Sequence, residues 1–185
     1  MSAFDLPSAT IAETAELIRK RELSPVELTR ATLDRIETLN PKLQSFTTVT
    51  PDYALAKAAA AEADLAAGNY RGPLHGIPYT LKDVIATKDV RTTFGHPRLV
   101  DFAPAESATV HTRLEAAGAI LVGKVYSQIG RGDGPVECYN PWDPTFTKSP
   151  GTSSSGSGGA VAASMGLLSM GTDTGGSVRH PAGMC

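Results

Sequence analysis

Apolar residues recur at helical spacing over the first third of the chain, then give way to short, dense runs. Ile11, Ala15, Leu17 and Ile18 form a loose stripe that predicts a helix over residues 10–22. Thr10 and Glu13 stand at its start with the spacing of a reciprocal capping box. Ser24-Pro25-Val26-Glu27 opens a second helix, with serine as N-cap, proline at the first helical position and glutamate at the third. Its apolar positions Val26, Leu28, Ala31, Leu33 and Ile36 run on to Leu39, and Asn40-Pro41 is expected to end it. The β-branched run 46–50 predicts a short strand. Pro51 then starts an alanine-rich helix to about residue 67, with Gly68 as its stop.

From residue 72 the pattern changes. Gly72-Pro73-Leu74-His75-Gly76-Ile77-Pro78 is a turn-rich entry to a strand over 79–85 that carries Lys82 in its middle. On local grounds Lys82 reads as an edge-strand lysine that keeps a sheet edge soluble. The alternative is a lysine buried among apolar neighbours, where desolvation depresses its pKa and makes it a usable base. Residues 108–117 predict a helix capped by Ser107, with Gly118 just past its end, and 119–122 follow as a buried strand. Residues 126–150 hold Gly130, Gly132, Gly134, Pro135, the NPWDP run and Pro150, a density of turn residues that fits a lid or wall. The alternation predicts one α/β domain with a mixed, largely parallel central sheet flanked by helices. An N-terminal helical segment, 1–70, is expected to pack on the core formed by 71–185.

Composition narrows the function classes. Of 185 residues, 41% are hydrophobic, enough for an ordinary core. The net charge of −2, from 17 basic and 19 acidic residues well mixed along the chain, leaves no footprint for nucleic acid or an anionic membrane. No apolar run approaches the ~20 residues of a membrane span. Cys138 and Cys185 form neither a CxxC pair nor a disulfide framework, and the polar start has no signal-peptide core. Together these point to a reducing, cytoplasmic setting. The four histidines, His75, His96, His111 and His180, lack metal-ligand spacing, so neither a metal nor a cofactor is expected. The chain stops at Cys185, directly after its most informative loop, and GMC is neither a cap nor a charged tail. That ending suggests a truncated chain.

The chemistry concentrates in 149–185, where two serine-bearing glycine loops bracket the apolar run AVAASMGLLSM. Two local matches lead nowhere. The run from Gly118 to Lys124 resembles a P-loop, but Val125 replaces the magnesium-binding hydroxyl and AILV is strand-like. Arg131-Gly132-Asp133 spells an adhesion tripeptide without a role in this setting. Ser177 is not in a G-x-S-x-G elbow, because Arg179 takes the last position. A Ser-His-Asp set could use His111 or His180 with Asp173; the alternative is a serine activated by lysine. The 174–177 turn presents consecutive backbone N–H groups with no side chains to block approach, as an oxyanion hole requires, and a plain turn would look much the same.

Taken together, GIPYTLKDVI (76–85), PGTSSSGSGGAVAA (150–163) and GTDTGGSVRHPA (171–182) resemble the amidase signature family. The resemblance extends over SPVELTRATLDRIETLNPKLQSF, RTTFG (91–95), LEAAGAILVGK (114–124) and NPWDP (140–144), in the family's order. It implies the family's α/β fold, of which 71–185 would be the N-terminal part, and hydrolysis of a carboxamide through an acyl-enzyme. The family's Ser–cis-Ser–Lys triad would fall on Ser177, Ser153 and Lys82, with a cis peptide before Ser153. The N–H groups of Thr174, Gly175, Gly176 and Ser177 would form the oxyanion hole. Ser154, Asp173 and Arg179 would support the site, although Asp173 and Arg179 read equally well as a structural ion pair. The resemblance implies a small-molecule amide as partner and leaves a homodimer open. Three departures stand out: Thr152 replaces the usual glycine, the usual Asn and Glu are missing after Lys124, and His180 occupies a varied position. Family members are far longer than this chain. The alternatives are the A subunit of glutamyl-tRNA(Gln) amidotransferase, which works with partner subunits, and a non-catalytic remnant.

Overall fold

A computed structural model describes residues 5–128 and 137–185. Gly130, Gly132, Gly134, Pro135 and the 131–133 tripeptide lie outside the described residues.

Helix α1 (Ile11–Arg19) begins with the expected capping box, in which the Thr10 hydroxyl and the Glu13 carboxylate each accept from the other's backbone N–H. It is shorter than the predicted 10–22. Arg21 adopts φ 59°, and the N–H groups of Glu22 and Leu23 turn back onto the Leu17 carbonyl. Helix α2 (Pro25–Leu43) starts as predicted, with Ser24 Oγ accepting from Val26 N–H and Glu27 N–H. Its end is a correction: the helix continues through Asn40-Pro41 to Leu43. So close to the terminus a proline forfeits only one intrahelical bond. The final turn closes through Gln44 N–H on Asn40 O (2.8 Å), with Gln44 in the left-handed region. The Asn40 side chain instead ties neighbouring segments together, accepting from Phe46 N–H (2.8 Å) and Trp142 N–H (2.9 Å).

The remaining α-helices and strands are β1 (Phe46–Val49), α3 (Pro51–Ala66), β2 (Pro78–Lys82), α4 (Thr109–Ala116), β3 (Ile120–Val125), α5 (Ser155–Ala162), β4 (Leu168–Met170) and α6 (Arg179–Met184). The sheet order is β1-β3-β2-β4. β3 and β4 both run parallel to β2, and β1 pairs antiparallel with β3. The mixed, largely parallel α/β architecture is therefore as expected. Ser107 does not cap α4. Its hydroxyl accepts from Lys88 N–H (2.9 Å), while Ala108 takes the N-cap position without a side-chain bond. None of the helices among the described residues is long and apolar enough to cross a membrane.

Helices cover both faces of the sheet. On one face Val122 and Val125 of β3 pack with Ile36, Ala54, Ala58 and Ala160 from α2, α3 and α5. On the other, Tyr79, Leu81 and Leu121 pack against Val110 and Leu114 of α4. β3 starts at Ile120 and extends beyond the predicted 119–122 through Gly123-Lys124, so the P-loop look-alike is strand backbone from Ile120 on. Gly123 is where β1 comes closest: a Cβ there would lie 2.4 Å from Thr48 O and 2.9 Å from the Phe46 ring. Gly123→Ala should therefore wedge the β1–β3 pair apart and destabilise the protein by about 2–3 kcal/mol. Urea unfolding measures this, and an unchanged midpoint would contradict the close approach.

Candidate active site

β2 lies between β3 and β4, so the strand that ends at Lys82 is interior, although its pairing with β4 stops at Leu81. Lys82 is 2% exposed, which overturns the local reading of a solubilising edge lysine. Successive strand residues alternate faces. Leu81, paired with Lys124, belongs to the α4 face, and Lys82, paired with Val125, to the α5 face. There its Nζ donates to Ser153 Oγ (2.7 Å) and Thr172 Oγ1 (2.9 Å). Burial pushes the Lys82 ammonium below its ordinary pKa, and the Asp173 charge opposes that only in part.

Both acceptors come from the two glycine loops. Ser153 precedes α5, the Thr152–Ser153 peptide is cis, and Ser153 O accepts from Gln128 N–H (3.0 Å). The next residue joins the loops: Ser154 N–H donates to Ser177 O (3.0 Å), and Ser154 Oγ lies between Thr172 O (3.3 Å) and Thr172 N–H (3.4 Å). Such contact needs glycine at 171, where a Cβ would stand 2.7 Å from Ser154 Oγ.

The second loop is organised by one carboxylate. Asp173 Oδ1 accepts from Gly176 N–H (2.8 Å) and Arg179 Nη2 (2.9 Å). Its Oδ2 accepts from Val178 N–H (3.0 Å), Arg179 N–H (3.1 Å) and Arg179 Nε (3.1 Å). These bonds, led by the Arg179 guanidinium, hold the Asp173 carboxyl far below the usual carboxylate range. Asp173 and Arg179 thus form an ion pair that also shapes the turn bearing Ser177. Gly176 N–H is consumed by this pairing. The N–H groups of Thr174, Gly175 and Ser177 have no hydrogen-bond partner among the described residues.

The histidine alternative finds no geometry among the described residues. His111 Nδ1 bonds the Tyr79 hydroxyl (2.7 Å) on the α4 face, and burial lowers its pKa. The His180 ring packs on Gly176, whose Cβ would fall 2.9 Å from His180 Cε1, and it makes no bond to Asp173. Both Asp173 oxygens are already occupied by the turn.

Two polar residues carry no distinguishing signal in the sequence. Thr172 sits inside the GTDTGGS motif, but nothing in its spacing sets it apart from the adjacent threonine and serine. Lys124 carries the same signal as Lys82, a lysine within a strand-like apolar run. It is fully buried, donating to Ile85 O (2.6 Å) and Thr92 Oγ1 (2.7 Å). Beside the loops, a cavity of about 280 Å³ is lined by Ser154, Ser157, Val161, Val178 and Pro181; Lys82, Ser153 and Ser177 are not in its wall.

The family model described as Amidase matches residues 27–185. AmiD of Mycobacterium tuberculosis is 48% identical over 179 residues, covering 95% of this chain and 37% of that protein. The A subunit of the glutamyl-tRNA(Gln) amidotransferase of Dehalococcoides mccartyi is 45% identical over 187 residues, covering 98% of this chain and 38% of that protein. The chain thus spans little more than a third of the length of these curated relatives. Among solved structures, the native peptide amidase from Stenotrophomonas maltophilia superposes with a TM-score of 0.88 at 34% identity, over 96% of this chain and 39% of that one.

Because the Asp173 carboxylate collects three backbone N–H groups, Asp173→Ala should speed amide exchange at Gly176, Val178 and Arg179 by about tenfold or more. Hydrogen exchange read by NMR tests this; unchanged rates would show that the turn holds itself. The sign with pH follows from the depressed pKa. The carboxylate's support is complete above the ordinary Asp range and is lost only as pH falls through its lower folded value, in strongly acid solution.

Proposed function

The chain belongs to the amidase family, and from that premise we propose that it carries the reacting groups of an amide-hydrolysing site, with Ser177 as nucleophile, Ser153 as relay and Lys82 as base. The observation that carries this reading is the Lys82 Nζ to Ser153 Oγ contact of 2.7 Å, made by a lysine whose burial favours the neutral amine.

In this mechanism neutral Lys82 takes the Ser153 hydroxyl proton while Ser153 takes that of Ser177, whose Oγ attacks the carboxamide carbon. The oxyanion falls to the N–H groups of Thr174, Gly175 and Ser177, since Gly176 N–H already serves Asp173. Thr172, as second acceptor for Lys82, fixes the direction of the amine. On collapse of the tetrahedral intermediate the proton returns through Ser153 to the departing nitrogen, the C–N bond breaks, and an acyl-Ser177 remains. Water, deprotonated through the same relay, then releases the carboxylic acid and frees Ser177.

A second reading has specific support: the 45% identity to an amidotransferase A subunit would make this chain part of an enzyme that works with partner subunits. The GTSSSGSG motif (151–158) and the residues after Lys124 favour a free-standing amidase. Co-purification with a tRNA-binding partner would reverse that order. A third reading, a piece that folds only with a second chain, predicts no cooperative monomeric transition by circular dichroism and size exclusion.

A fluorophosphonate probe should label Ser177, and Lys82→Ala or Ser153→Ala should slow labelling by about 10²–10⁴-fold, the usual worth of a positioned base. Peptide mass spectrometry reads the site; labelling that survives Lys82→Ala removes lysine from the mechanism. Because the amine must be neutral, the labelling rate should rise with pH through the Lys82 midpoint and level off below the 10.5 of an ordinary lysine.

A further inference from the structure

We propose that Lys124, on the sheet face opposite Lys82, is a positioning residue for Lys82: its ammonium clamps the turn that follows β2 and so fixes where the Lys82 side chain leaves the sheet. The proposal rests on the assignment of Lys82 as base.

A short bonded chain connects the two lysines. Lys82 O accepts from Ile85 N–H (2.9 Å), and Ile85 O in turn accepts from Lys124 Nζ (2.6 Å). Lys124 also holds Thr92 Oγ1 (2.7 Å), on the returning limb of the same loop. Next to Thr92, Thr93 donates its N–H to both oxygens of buried Asp83 (3.2 Å each) and its hydroxyl to Oδ2. Asp83 N–H reaches Val125 O (2.9 Å), and Phe94 N–H returns to Asp83 O (2.9 Å). The residue after Lys82 is thereby tied to β3 and to the loop's return limb. From its place on β3, Lys124 grips both limbs at once.

A burial this complete argues for a specific task. An ammonium removed from water costs several kcal/mol before its partners offset it, and an apolar residue of similar length could fill the same space. Burial pushes the Lys124 amine down to about 8, with Asp83 acting in the opposite direction. His111, on α4, also feels the Lys124 charge. What lysine supplies and methionine does not is a two-pronged donor to a carbonyl and a hydroxyl that face no water. Without it, Ile85 O keeps only the Thr87 hydroxyl (3.2 Å) and the Thr92 hydroxyl keeps only its bond to Val90 O (3.0 Å). Each stays within its own limb, so the link from β3 to the turn is lost, the turn relaxes, and the base of the Lys82 side chain becomes reachable by solvent.

The test reads Lys82 without requiring catalysis. Trace acetylation with acetic anhydride across a pH series, quantified peptide by peptide, gives the midpoint at which Lys82 becomes nucleophilic, with exposed Lys42 as internal reference. In Lys124→Met the Lys82 midpoint should rise by about one pH unit as water reaches the turn. Thr92→Val, nearly isosteric, should shift it in the same direction by less. A folded Lys124→Met or Thr92→Val protein whose Lys82 midpoint matches the parent overturns the proposal. The assignments separate cleanly. A shifted midpoint together with a fluorophosphonate-inert Ser177 would retain the positioning and reject the reaction; an unshifted midpoint with labelled Ser177 would do the reverse.

Discussion

A lysine amine held out of water on an interior strand is the constraint on which the rest depends. Desolvating an ammonium costs several kcal/mol, and the cost is met either by good acceptors or by giving up the proton. Lys82 has both routes: two hydroxyls within 3 Å and a pKa driven down by burial. Those hydroxyls belong to segments 71 and 90 residues downstream, so the lysine can be satisfied only when both glycine loops have folded against the end of β2. Stability and site geometry are thus the same requirement at this point in the chain.

The loops meet that requirement through close backbone approach. Ser154 N–H on Ser177 O joins them, and Gly171 removes the Cβ that would collide with Ser154. The Asp173–Arg179 pair then uses up the donors around one side of the turn and leaves others pointing elsewhere. An ion pair this exposed contributes little to global stability. Its consequence is local, because it decides which N–H groups of the 174–177 turn are left without a partner among the described residues. On the opposite face Lys124 binds the outgoing turn of β2, so the strand carrying Lys82 is held from both sides of the sheet.

Much of the scaffold was legible because it depends on neighbours in sequence. The capping box at Thr10–Glu13, the Ser24-Pro25 start and the 46–49 strand are local chemistry, and they appear where the pattern puts them. What failed was non-local. Asn40-Pro41 looked like a stop, yet Asn40 is bonded to Phe46 and Trp142, partners invisible to a helix rule. Ser107 looked like a cap, yet its hydroxyl was drawn to Lys88 N–H. Lys82 looked like an edge lysine because strand order is a tertiary property: β4, only three residues long, is what makes β2 interior. Ser153, Ser177 and Lys82 were singled out as a set by the resemblance of whole motifs, not by periodicity. Thr172 and Lys124 stayed hidden because each needed a partner from a distant segment to acquire meaning.

The central claim is that Lys82 is an uncharged amine when the site works. Its side-chain ¹³Cε resonance, followed by NMR against pH and assigned with Lys82→Arg, measures this in the unmodified protein. The account predicts a midpoint below the 10.5 of an unperturbed lysine. A midpoint at or above that value would leave Lys82 a charged structural anchor and remove the base from the proposed reaction.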